Sequence, residues 1–197
     1  SREQDAPNQA ITGSVREAIR LGCSAIGFTI YPGSDDALDM ISNIQEMACE
    51  AKDAGLAVVI WSYPRGGDIS KEGETAIDIV AYAAHIAALI GAHIIKVKPP
   101  TKHIELSEAK KVYTSENIPI ETLTDRIRHI KQSCFQGKRI VVFSGGAAKD
   151  KNGLINEIKE LYKGGANGSI IGRNSFQRPL NEAMDLLNEV TDIYKGR

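Results

Sequence analysis

Two lysines, Lys96 and Lys98, stand two residues apart in GAHIIKVKPP (residues 91–100), a stretch that otherwise reads as a helix-ending glycine followed by a buried strand. Lysine is among the residues least often fully buried, because its charge is costly to take out of water. Residues i and i+2 of a strand share a face, so both amines point the same way. An amine nucleophile must be neutral, and a lysine with an ordinary pKa of about 10.4 is neutral in roughly one molecule in 2,500 at pH 7. Burial and a second cation both favour loss of the proton. A lowering of about three units corresponds to about 4 kcal/mol. One lysine could then attack a carbonyl while the other depresses its pKa and steadies anionic groups. The structural alternative is that one pairs with a carboxylate and the other carries its ammonium to solvent ahead of Pro99 and Pro100.

Other strand ends carry chemistry too. Trp61 and Tyr63 share a face of WSYPRG by the same spacing; a tyrosine can act as general acid and base, and an indole can wall a pocket. Both could equally be core. Arg65 reads either as a solvated loop cation or as a group that holds the loop shut. Ser144-Gly145-Gly146 leaves backbone N–H groups uncovered, and Gly172-Arg173 follows the last strand. Bare amides beside an arginine bind anions well, and a phosphate site built after the last two strands recurs in barrels. The four histidines, His85, His93, His103 and His129, show no metal-ligand spacing, so no metal site is expected. No dinucleotide fingerprint, Gly-x-Ser-x-Gly or His-Glu-x-x-His is present.

The elements that must position these groups repeat one unit. An amphipathic helix closes at a glycine (Gly22, Gly55, Gly91, Gly137, Gly165), and a β-branched strand follows at once: 25–31, 57–63, 93–98, 139–145 and 168–173. The spacing predicts helices over 13–21, 37–54, 75–90, 122–135, 153–162 and 180–194. Residues 99–119 read as a long polar connection, a lid over the site or an oligomer contact. Strands alternating with helices mean parallel βαβ units, and strands of near-continuous hydrophobicity should have both faces covered. Functional groups at the C-terminal ends of several strands favour a (β/α)8 barrel over an open doubly wound sheet, which gathers its site at one switch point. The expected fold is therefore α/β, a TIM barrel of which about five C-terminal βα units, from the fourth strand onward, are present. Residues 1–197 would form one catalytic barrel domain lacking about three N-terminal βα units.

The composition sets further bounds. With 197 residues, 42% hydrophobic, 25% charged and a formal net charge of −1, the chain has no electrostatic footprint for nucleic acid or an anionic membrane. No apolar run is long enough to span a membrane. Cys23, Cys49 and Cys134 match neither a disulfide framework nor a zinc motif, and read as reduced, mostly buried thiols of a cytoplasmic protein.

WSYPRG, GAHIIKVK, VVFSGGAA and SIIGRNSFQR, in this order, resemble the archaeal-type class I fructose-bisphosphate aldolases, also found in bacteria. The likeness runs from about Val15 to the end. It implies a metal-independent Schiff-base lyase of glycolysis and gluconeogenesis, without a cofactor, acting on a sugar phosphate as a cytoplasmic homo-oligomer. It assigns the covalent role to Lys96 rather than Lys98, and proton transfer to Tyr63 beside Trp61. Phosphate binding falls to Ser144, Gly145, Gly146, Gly172 and Arg173, with Lys98 as a further substrate ligand. Two departures stand out. The acidic residue that the family carries on its first strand has no counterpart here, and the connection after Lys98 is longer and more polar than in the shorter archaeal members. Another phosphorylated ketose as substrate, a phosphosugar isomerase or epimerase on the same barrel, and a non-enzymatic scaffold are the rival readings.

Overall fold

Local chemistry sets the punctuation of the chain. Ser14 caps the first helix by accepting from the Glu17 N–H at 3.2 Å, and Thr122 caps another by accepting from Asp125 N–H at 3.1 Å. The five helix-ending glycines take φ between +72° and +105°, the left-handed region that a side chain disfavours. In this computed structural model, which describes residues 7–145 and 150–197, the order is α1 (Val15–Arg20), β1 (Ala25–Ile30), α2 (Ala37–Asp53), β2 (Ala57–Ser62), a 3-10 turn (Gly73–Thr75), α3 (Ile77–Leu89), β3 (Ile94–Val97), α4 (Ser107–Ser115), α5 (Leu123–Ser133), β4 (Ile140–Ser144), α6 (Lys151–Lys163), β5 (Gly168–Ile170), α7 (Arg173–Phe176) and α8 (Leu180–Tyr194).

The strands form one parallel sheet in the order β1-β2-β3-β4-β5. The order never reverses, so the sheet has no switch point of the doubly wound kind; it is the progression of a (β/α) barrel. One face packs on the helices. Val58, Ile60, Ile95, Val97, Val141 and Phe143 are wholly buried there, each contributing about 1.5–3 kcal/mol. Ala84, Ala87 and Ala88 let α3 approach closely and are equally buried.

The other face carries Thr29, Val59, Trp61, Ile94, Lys96, Val142 and Ser144, all half-buried. Coverage of both faces, expected from the sequence, therefore holds for one face only, because among the described residues the barrel-interior face meets no opposite wall. Two further differences concern lengths. The connection after β3 is not irregular throughout, for it contains α4. That helix escapes a periodicity reading because none of its residues is buried. β5 stops at Ile170, which leaves Gly172 and Arg173 at the start of α7 rather than in a strand.

Candidate active site

Lys96 sits in mid-β3, opposite Trp61 of β2 and Val142 of β4. This register puts its amine on the half-buried barrel-interior face. Burial pushes its pKa below the ordinary lysine value, since the ammonium loses hydration that the neutral amine hardly needs. Its Nζ lies 5.9 Å from the centroid of the Tyr63 ring. Tyr63 directly follows β2, and its N–H donates to the Ile30 carbonyl at 3.0 Å, which fixes the residue between β1 and β2. Burial raises the Tyr63 pKa against the opposing pull of Arg65, so the phenol keeps its proton at neutral pH and can donate it.

Lys98 takes the alternative part read for these lysines, that of pairing with a carboxylate. Its ammonium bonds Glu74 Oε2 at 2.9 Å, and burial alone accounts for the lowered pKa of Lys96. The pairing arises because the 3-10 turn after β2 brings a carboxylate to the end of β3. Burial works against Glu74's charge, but its bonds to Lys71 and Lys98 hold its pKa below the usual carboxylate value.

Two strand ends close the opposite side. Gly145 N–H donates to the Ile170 carbonyl at 3.3 Å, joining the ends of β4 and β5. The buried Asn174 donates through Nδ2 to the Gly145 carbonyl at 3.0 Å, tying α7 to the same place. Tyr63, Lys96, Lys98, Ser144, Gly145, Gly172 and Arg173 thereby line one cleft of about 720 Å³, with Arg65 and Asn174. That is ample for a sugar phosphate. Gly146 lies outside the described residues. Trp61 shares the face but leans away, its ring lying over Gly27 of β1.

Glu74 and Asn174 were not foreseen. Glu74 looks like one more charge in a polar loop, and the only local hint is its spacing from Lys71. Asn174 follows Arg173 with nothing to mark it as a tie between strand ends.

The histidines have structural partners: His93 Nδ1 accepts from Val58 N–H at 3.0 Å, His85 pairs with the Ser133 carbonyl, His129 with Tyr113 and His103 with Glu105. Among the described residues no group of three or more His, Cys, Asp and Glu side chains could hold a metal ion. Of the cysteines only Cys134 is buried, its thiol pushed up to about 12, while Cys23 and Cys49 are exposed. That corrects the expectation of mostly buried thiols: Cys23 follows α1 in a loop, and Cys49 lies on the outward side of α2, where it accepts from Gln45. Among the described residues no helix is long and apolar enough to cross a membrane.

The chain resembles known proteins over most of its length. The chain is 33% identical over 201 residues to the probable class 1 fructose-bisphosphate aldolase of Chlamydia muridarum, covering 95% of this chain and 56% of that protein. It is 36% identical over 184 residues to the class 1 fructose-bisphosphate aldolase of Thermoproteus tenax, covering 93% and 60%. An archaeal fructose-1,6-bisphosphate aldolase, solved with its catalytic lysine covalently bound to the carbinolamine intermediate of the substrate, superposes with a TM-score of 0.78 at 29% identity, over 98% of this chain and 66% of that one. The chain thus spans between 56 and 66% of the length of these proteins. Residues 2–178 match the DeoC/LacD family aldolases, and the chain belongs to that family.

Proposed function

We propose that this cleft belongs to a class I fructose-bisphosphate aldolase and that Lys96 is its Schiff-base residue. The observation that carries this reading is a half-buried lysine, its pKa lowered by burial, facing a protonated tyrosine in a cleft rimmed by Ser144, Gly145, Gly172 and Arg173. The class 1 naming of the relatives and the covalent lysine of the archaeal structure support it.

The neutral Lys96 amine adds to the C2 carbonyl of the open-chain ketose. The Tyr63 phenol gives its proton to the departing carbinolamine hydroxyl, which leaves as water, and an iminium remains. Breaking C3–C4 sends its electron pair into the iminium, forming an enamine. The C4 hydroxyl loses its proton to the Tyr63 phenolate, and glyceraldehyde 3-phosphate departs. Tyr63 returns that proton to C3, and water hydrolyses the iminium to dihydroxyacetone phosphate and free neutral Lys96, the proton released going back to the Tyr63 phenolate. The covalent lysine is the electron sink, so this route needs no metal or cofactor. Ser144 and the Arg173 guanidinium, both lining the cleft, hold a substrate phosphate, so binding remote from the reacting carbons orients the carbonyl. The chain is one part of a catalytic barrel, acting as a cytoplasmic homo-oligomer.

Borohydride trapping with dihydroxyacetone phosphate, followed by peptide mass spectrometry, tests the reading. The expected result is one reduced adduct, on Lys96. Binding of the sugar phosphate with no adduct would overturn it and favour a non-covalent isomerase on the same scaffold.

A further inference from the structure

If Lys96 is the covalent lysine, something must separate it from Lys98, an amine two residues away with the same kind of side chain. That difference comes from outside the strand. One Glu74 oxygen lies 2.9 Å from Lys98 Nζ and the other 2.8 Å from Lys71 Nζ. Among the described residues Lys96 has no ion-pair partner; what surrounds it is the Tyr63 ring and the strands beside it.

Glu74 is held from behind. Its turn is braced by residues 101–106, the first part of the long connection after β3. Thr101 N–H donates to the Thr75 carbonyl at 2.8 Å, and Ile77 N–H donates to the His103 carbonyl at 2.9 Å. The Glu105 carboxylate accepts from Ser70 N–H at 2.8 Å and from Ser70 Oγ at 2.9 Å. It also presses on Gly73 so closely that a methyl there would stand 2.5 Å from the carboxylate carbon. The buried Asp78 accepts from the N–H groups of Glu105 and Leu106, both at 3.0 Å. The first part of the connection thus bonds repeatedly to the turn that carries Glu74, while α4 makes its own contact through Tyr113 and His129.

We propose that Glu74 assigns the covalent role to Lys96 by tethering the Lys98 ammonium, with residues 101–106 as the strap that keeps Glu74 in place. The proposal rests on the Schiff-base reading above. To attack, a lysine nitrogen must shed a proton and turn its lone pair to the carbonyl carbon; a carbon–nitrogen bond then forms and water leaves. For Lys98, losing that proton strips its contact with Glu74 of the positive charge that makes it an ion pair, whereas Lys96 has no such pair to lose. The Lys98 N–H groups not taken by Glu74 still point charge at the cleft mouth, where an anionic substrate group can use it. Glu74 is a positioning residue, acting through Lys98.

The test compares the wild-type chain with E74Q, K96M and the K96M/E74Q double variant, each shown to be folded by circular dichroism. Each is treated with dihydroxyacetone phosphate and borohydride, and the adduct is located by peptide mass spectrometry. K96M should carry no adduct, the double variant should regain one on Lys98, and in E74Q the ratio of Lys98 to Lys96 adduct should rise about tenfold. A folded double variant without adduct on Lys98, or K96M alone labelled there as fully as the double variant, would overturn the proposal. Trace acetylation with acetic anhydride reads the same tether without a ketose, and E74Q should raise Lys98 labelling about tenfold relative to Lys96. Unchanged labelling in folded E74Q overturns the tether whatever the ketose does. A wild-type protein that traps no ketose, while E74Q gains Lys98 labelling, keeps the tether and removes the Schiff-base reading.

Discussion

Replacing Gly27 with alanine should displace Trp61 and slow imine formation without unfolding the protein. A methyl on Gly27 would stand 2.9 Å from Trp61 Cη2 and nearer still to Cζ3. Carbon atoms in ordinary contact sit about 3.5–4.0 Å apart, so the indole must shift by roughly 1 Å. Overpacking of this kind costs about 1–3 kcal/mol, and alanine recovers about 0.5–1 kcal/mol over glycine in a strand. The net loss of stability is therefore at most about 2.5 kcal/mol. Trp61 lies opposite Lys96 in the register, so a ring driven off β1 moves toward Lys96. A misplacement near 1 Å at reacting groups can cost about a hundredfold in rate.

Because the chain holds one tryptophan, its emission reports this site alone. In G27A the emission maximum and the acrylamide quenching constant should both change, and the borohydride-trapping rate should fall by about tenfold to a hundredfold. Urea unfolding would show that the fold persists. Unchanged emission together with an unchanged trapping rate would refute the reasoning. It would mean that the added methyl is absorbed on β1 without moving the indole.

The trapping rate at saturating ketose should rise with pH and level off below the ordinary lysine pKa, because burial lowers that of Lys96 and enlarges its neutral fraction at pH 7. An inflection at about 10.4 or above would count against it. Replacing Tyr63 with phenylalanine should reduce cleavage far more than dihydroxyacetone phosphate binding, by about a hundredfold in kcat, if its phenol moves the protons; equal losses in kcat and affinity would assign it to packing. Gly164 ends α6 with its Cα pressed on α5: a methyl would stand 2.5 Å from Ile127 Cβ and 2.9 Å from the Thr124 carbonyl oxygen. Alanine there should cost about 1–3 kcal/mol in a urea titration while leaving trapping by the folded fraction unchanged.

What could be read in advance was what a residue's own backbone or its strand neighbours dictate. The five helix-ending glycines were legible because a left-handed residue leaves little other choice, and all five adopt it. The strands were legible because the faces they turn to the helices are rich in Val, Ile and Phe. α4 was not legible, since it buries no apolar stripe. Nor was the lean of Trp61, which depends on a missing side chain on the next strand.

The two lysines mark the same boundary inside the site. Strand geometry gives Lys96 and Lys98 one face and one kind of side chain, and on that basis a second ammonium should help its neighbour lose a proton. The loop after β2 removes that symmetry by bringing Glu74 to one amine and leaving the other to burial. The Lys98–Glu74 contact spans 24 residues of chain and exists only because the turn around Gly73 is clamped by Glu105 and Asp78. A strand can therefore present two amines and leave the choice between them to its loops. In a barrel, where every strand ends in a loop, nearly identical strand ends can thus be given different chemistry by changing only what the loops bring to them.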